Sequence, residues 1–171
     1  FVYTGALVSG AIGGRRAHPP KSEKNFDQKL NKKENRKAIR SAIAATIDKS
    51  CLENKGFKTV SNVPFIIDKL ETISKTKDII TLFTKLGLEK EIERATNKTI
   101  RPGRGTLRGR KYKKVKGPLV IVSQKEKIVD ACKNIAGFDI TTIKSLNAEL
   151  LAPGAEPGRL TIWSLDSVNE L

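Results

Sequence analysis

Residues 101–116 read RPGRGTLRGRKYKKVK, with Arg101, Arg104, Arg108, Arg110, Lys111, Lys113, Lys114 and Lys116 and no acidic residue among them. Arginine offers a planar fork of donors that grips phosphate through two parallel hydrogen bonds, and lysine adds a mobile point charge. Tyr112 stands among these cations, where an aromatic ring can stack on an unpaired base. The glycines and Pro102 disfavour a regular helix and let the backbone follow an irregular surface closely. The chemistry is adhesion to a polyanion. A disordered basic tail, such as a nuclear localisation signal, has a similar composition. Placement between two patterned segments, with glycines spaced unlike a simple charge block, favours contact with RNA.

A second constellation is GGRRAHPPK, Gly13 to Lys21. Two glycines release the chain, Arg15, Arg16 and Lys21 bring charge, and Pro19 and Pro20 stiffen the exit. His18 is the only histidine; it suits hydrogen bonding or stacking, and without a second histidine a zinc site has no support. A third group, Lys33, Arg36, Lys37 and Arg40, recurs at helical spacing. A solvated helix face and a phosphate-facing side both account for it.

Other chemistries find no footing. A Ser-His-Asp or Cys-His arrangement would have to recruit His18 from a proline-flanked basic arm, a poor setting for a buried general base. No GxxxxGK[ST] loop is present, GRGTLRGR does not match it, and no GxGxxG joins a strand to a helix. Glu91 and Glu93 are two apart and do not share a helix face. No catalytic residue, cofactor or metal is therefore expected. Cys51 and Cys132, the only cysteines, lie among aliphatic residues at helical spacing. They read as buried reduced thiols in a reducing, cytosolic compartment.

These groups need a scaffold, and 171 residues suffice for one compact domain with its own core. Thirty-three Lys and Arg against 18 Asp and Glu leave a net charge of +15, more than half of it in residues 101–116. Such a charge opposes compaction and attracts nucleic acid or an anionic membrane. No apolar run approaches the roughly 20 residues of a spanning helix. Phe1–Gly14 is apolar, but it has no basic stretch before it and runs into Arg15 and Arg16 where a signal peptide would carry a cleavage site. A basic amphipathic helix of the membrane-binding kind is only partly matched, at residues 32–47. No membrane partner is expected. The absence of methionine, at position 1 included, points to a fragment.

Residues 1–31 lack a sustained period and read as an extended arm, and 32–171 read as one globular α/β domain that carries a basic loop at 97–117. Asn31 as N-cap with Glu34 opens a helix whose apolar stripe is Ile39, Ala42, Ile43, Thr46 and Ile47. Residues 49–62 form a polar loop, and Val63–Ile67 a strand. A helix over Lys75–Leu86 turns Ile79, Ile80, Leu82, Phe83 and Leu86 inward and stops at Gly87; a shorter one covers Leu88–Ala95. Pro118–Ser123 is an apolar strand of the kind buried in parallel sheets. Lys125–Ile135 is a helix facing inward with Ile128, Val129, Cys132 and Ile135. Ile140–Ile143 is a strand, Ser145 caps a short helix to Leu151, and Pro153–Gly154 turns into a strand at Leu160–Trp163, with Trp163 in the core. This alternation predicts a mostly parallel, Rossmann-like sheet with helices on both faces.

Four stretches in this order and spacing resemble a known family: GGRRAHPPK, NKKENRKAIRSAIAAT, RGRKYKKVKGPLVIVS and NIAGFDITTIKSLNAELLAPGAEPGRLTIWS. The family is protein four of the large ribosomal subunit, in its archaeal and eukaryotic branch, and the likeness is greatest to archaeal forms. It implies a structural constituent of the cytoplasmic ribosome, a Rossmann-like domain and a long loop that penetrates rRNA. The partners implied are large-subunit rRNA, neighbouring ribosomal proteins and the nascent peptide, whose exit tunnel the loop helps line. By motif, Phe1–Pro20 would be the returning end of that loop, placing Arg15, Arg16 and His18 among rRNA, and Arg101–Lys116 the basic rRNA-binding segment. Two departures stand out. The family's N-terminal strand, first helices and outgoing arm are missing, so the chain is not expected to complete the sheet alone. Phe1–Ile12 is also less basic than that loop. Arm and basic loop are expected to order only on RNA, since charged glycine-rich segments bury too little surface to offset chain entropy. A regulatory module acting on messenger RNA would need the same basic surface, and an enzyme on a Rossmann-like sheet remains the alternative of another class.

Overall fold

The computed structural model describes residues 7–57, 63–124 and 127–171, and the chain divides after Asn31 into two units. In the first, the described residues 7–31 carry no helix or strand. Isolated turns shape them, with Gly14 N donating to Ala11 O at 3.0 Å and Asp27 N to Asn25 Oδ1 at 2.8 Å. Residues 1–6, assigned to the arm by sequence, lie outside the described residues.

The second unit contains α1 (Lys32–Ala45), α2 (Lys49–Asn54), β1 (Phe65–Ile67), α3 (Thr76–Lys85), α4 (Glu89–Thr96), β2 (Lys98–Ile100) and β3 (Tyr112–Lys114). There follow β4 (Leu119–Val122), α5 (Lys127–Cys132), β5 (Asp139–Thr142), α6 (Ala148–Leu151), β6 (Thr161–Ser164) and α7 (Leu165–Asn169). Four strands form one parallel sheet in the order β1-β6-β4-β5. The sequence of β4, Leu-Val-Ile-Val, explains its central place: all four side chains are fully buried, so neither face meets water. Leu119 and Ile121 pack with Trp163, Ala42 and Leu151, with Ile39 and Ile43 of α1 against them. Val120 and Val122 point to the larger core of Ile162, Leu52, Ile79, Phe83 and Ile128. Phe83 and Phe138 stack there with centroids 5.0 Å apart. Trp163 is core, as expected, its Nε1 donating to Thr161 Oγ1 at 3.0 Å.

Several local expectations are corrected. Residues 49–54 are a helix, where a polar loop was expected. Asp48 caps it by accepting from Ser50 N at 3.0 Å, and Leu52 alone turns fully inward, so no apolar period announces it. Of the rest of the expected loop, residues 55–57 leave the helix through a turn and 58–62 lie outside the described residues, as do the first two residues of the expected Lys125–Ile135 helix. Ile47 lies past the end of α1 and is exposed, and Ile80 faces outward from α3. Asn147, not Ser145, caps α6, accepting from Leu150 N at 2.8 Å; Ser145 instead closes a 3-10 turn with Thr142. Cys132 is buried and free, its thiol pushed up to about 12 by desolvation. Cys51 is free but only half-buried, near Asp48. Gly87, at φ +77°, ends α3 as its position predicts.

Candidate nucleic-acid interface

The basic segment is a turn-rich loop at the end of a short two-stranded ribbon. β2 and β3 pair antiparallel, Lys98 opposite Lys114, Thr99 opposite Lys113 and Ile100 opposite Tyr112, in a ribbon whose six residues are all exposed. A two-stranded ribbon is marginal by itself, and like charges directly opposite weaken it further. Local hydrogen bonds close its tip: Arg101 N donates to Lys111 O at 2.8 Å and Arg110 N to Gly105 O at 2.9 Å. Thr106 Oγ1 donates to Arg101 O, and Arg101 Nε to Arg110 O at 3.2 Å. Arg101 is therefore half-buried and shapes the loop, leaving Arg104, Arg108 and Arg110 exposed around the tip.

The base of the ribbon is clamped to the sheet. Arg159, only 1% exposed, donates from Nε to Gly117 O at 2.8 Å and from a terminal nitrogen to Leu150 O at 2.9 Å. Its other terminal nitrogen reaches Asp139 Oδ2 at 2.7 Å, and Lys116 Nζ meets the same oxygen at 2.9 Å. Burial pushes the Asp139 carboxyl up, but the bonds from Lys116 and Arg159 outweigh it and hold the group below its ordinary value. Burial lowers Arg159 from the usual guanidinium value. Gly117 N also donates to Gly137 O at 2.9 Å.

An open groove of about 640 Å³ runs beside this base, lined by Lys98, Lys114, Lys116 and Lys133 and floored by the turn from Asn134 to Phe138. Lys111 and Lys98 flank Tyr112, their Nζ atoms 5.6 and 6.0 Å from its ring centroid. Lys113 faces away from this side, by alternation along the strand.

The remaining sequence-predicted residues fall into two further sets. Within the first unit Arg15, Arg16, His18 and Lys21 share the lining of an open pocket of about 790 Å³ with Pro19, Pro20 and Phe26. In the second unit Lys33, Arg36, Lys37 and Arg40 lie exposed along α1 at i, i+3, i+4 and i+7, off the stripe that packs on the sheet. Lys98, Lys133 and Arg159 escaped sequence reasoning. Lys98 and Lys133 are isolated lysines until folding brings their segments together, and the partners of Arg159 lie 9, 20 and 42 residues away. Among the described residues no group of His, Cys, Asp and Glu could hold a metal ion, and no helix is long and apolar enough to cross a membrane.

A carboxylate occupies the end of the sheet where open parallel sheets take ligands, outside the carboxyl ends of the strands. Glu71 Oε1 accepts from Ser123 N at 2.7 Å, just past β4, and from Ser164 Oγ at 2.8 Å, at the end of β6. A ligand there would have to displace the Glu71 side chain from these two donors.

Comparison with known proteins agrees with this scaffold. The chain is 44% identical over 167 residues to the large ribosomal subunit protein uL4 of Archaeoglobus fulgidus, covering 96% of this chain and 66% of that protein. It is 46% identical over 172 residues to that of Nanoarchaeum equitans, covering 100% of this chain and 64% of the relative. It is 45% identical over 168 residues to that of Methanococcoides burtonii, covering 97% and 66%. The chain thus spans slightly less than two thirds of the length of these relatives. A sequence model of the Ribosomal protein L4/L1 family matches residues 7–171. With that match across nearly its whole length, the chain belongs to the Ribosomal protein L4/L1 family.

Proposed function

We propose that this chain is a structural, non-catalytic part of the large ribosomal subunit, acting in the cytoplasm by binding large-subunit rRNA and supporting its assembly. The observation that carries the reading is the basic ribbon, a run of cations without an acid, held out from a sheet by a buried arginine clamp. Cations directed at phosphates supply large, salt-sensitive binding energy without a catalytic pocket. The archaeal relatives, which are large ribosomal subunit proteins, point the same way. Arg15, Arg16, His18 and Lys21 supply a second RNA contact and the basic stripe of α1 a third. On this reading the arm helps line the nascent-peptide tunnel, and neighbouring ribosomal proteins complete the surroundings. The enzyme alternative is disfavoured by Glu71, whose side chain takes up the donors at the ends of β4 and β6 that a ligand would use.

Sedimentation of the native protein through a gradient, with and without RNase, tests the proposal. Co-migration with the large subunit through a moderate-salt wash, lost after RNase, is expected. A small free species in both samples would reject it. Arg104→Gln with Arg108→Gln should weaken binding to large-subunit rRNA and flatten its salt dependence by about 1.4–1.8 in log–log slope, as for two lost phosphate contacts.

A further inference from the structure

Side chains alternate along an antiparallel pair, so Lys98, Ile100, Tyr112 and Lys114 share one face of the ribbon, and Thr99 and Lys113 the other. Lys98 and Lys114 line the groove at the ribbon base together with Lys133. One rung further out on the same face, Ile100 and Tyr112 stand 68% and 51% exposed. Among the described residues the only carboxylate lining the groove, Asp139, is already bound by Lys116 and Arg159. Lys133 meets Asp130 at 2.6 Å, but both side chains are largely exposed and such a pair holds weakly in water.

We infer that this face, with Lys133, seats an unpaired stretch of RNA, its phosphates against the groove lysines and a base on Tyr112 beside Ile100. The inference rests on the RNA-binding reading above and deepens it by naming the strandedness of the ligand. A polyanion between Lys98 and Lys114 relieves the repulsion that a bare ribbon carries. An exposed aromatic and aliphatic rung gains nothing from a duplex, whose bases are stacked on each other, and much from a free base.

The test uses the intact 171-residue chain. Fluorescence anisotropy titrations over a range of salt would use a mixed-sequence single-stranded RNA and the same sequence as a duplex. Lys114→Gln should lower the log–log salt slope for the single strand by about 0.7, one phosphate contact. Lys113→Gln, its neighbour with the same charge change on the opposite face, should lower it by less than half as much. Tyr112→Ala should weaken the single strand about tenfold or more and leave the duplex unchanged, while Tyr112→Phe keeps the affinity. Thermal melts matching the parent chain confirm that each variant folds. Equal losses for Lys113→Gln and Lys114→Gln, or equal weakening of both RNAs by Tyr112→Ala, would overturn the inference. If only the Arg104 and Arg108 variant loses affinity, this face is wrong and the ribosomal proposal stands. If no variant does, both fail.

Discussion

Arg159 and Asp139 show how one buried contact positions a distant surface. The guanidinium is 1% exposed and bridges Gly117, two residues before β4, the end of α6 and the start of β5, so the ribbon leaves the sheet from a fixed point. Removing the carboxylate leaves a buried cation with only carbonyl partners, the situation that costs most in proteins. Asp139→Asn is expected to destabilise the second unit by about 3 kcal/mol at neutral pH, the low end for a broken buried pair, because Asp139 itself is partly exposed. The sign of the pH dependence follows from the lowered Asp139 value. Its stabilisation is full above the unfolded-state value of about 3.9 and is lost as pH falls through the lower folded value. Thermal melts of both proteins should therefore differ fully at neutral pH, begin to converge as pH falls below about 4, and meet only below the lowered folded value. A gap that stays constant with pH would show that charge is not what Asp139 contributes.

At the scale of elements, the junction of the ribbon with the sheet depends on a glycine. Gly137 adopts φ +76°, and a Cβ there would stand 2.6 Å from the Cβ of Ala95 in α4. The left-handed backbone costs a residue with a side chain about 1–2 kcal/mol, and overpacking adds about 1–3. Gly137→Ala is expected to cost about 2–5 kcal/mol in denaturant unfolding. Ala95→Gly, itself a loss of about 1 kcal/mol in a helix, should recover part of the damage when combined with it. Strict additivity of the two would remove the contact from the explanation. The same scale shows where sequence patterns thin out. α3 carried a clear stripe and a glycine stop, whereas α2 offers one inward leucine and a cap, and so reads as loop. β2 and β3 are three polar-rich residues each, too short to show a period against a background of lysine and arginine.

For the molecule as a whole, the net charge of +15 sits on two units of different character. Described residues 7–31 are exposed apart from half-buried Gly14 and Pro19, and they are held only by isolated turns. Trypsin should cut the free chain first at Arg15, Arg16, Lys21 and Lys24, while the unit built on the parallel sheet persists. Large-subunit rRNA should slow those cuts, as expected for a segment that orders by neutralising its charge on phosphates. Full protection of these sites without RNA would contradict that view of the first unit.

The sequence by itself determined which segments could be buried and which could not. Val and Ile in an uninterrupted run demand cover on both sides, and a stretch of cations without acids has no favourable place inside a protein. The central strand, the flanking helices and the location of the basic segment were legible for that reason. Tertiary structure alone decided the strand order, the pairing of β2 with β3, the Arg159 clamp and the meeting of Lys98, Lys114 and Lys133 in one groove. These depend on contacts between residues far apart in the chain, and no local periodicity encodes which distant carbonyl, carboxylate or lysine a side chain will meet.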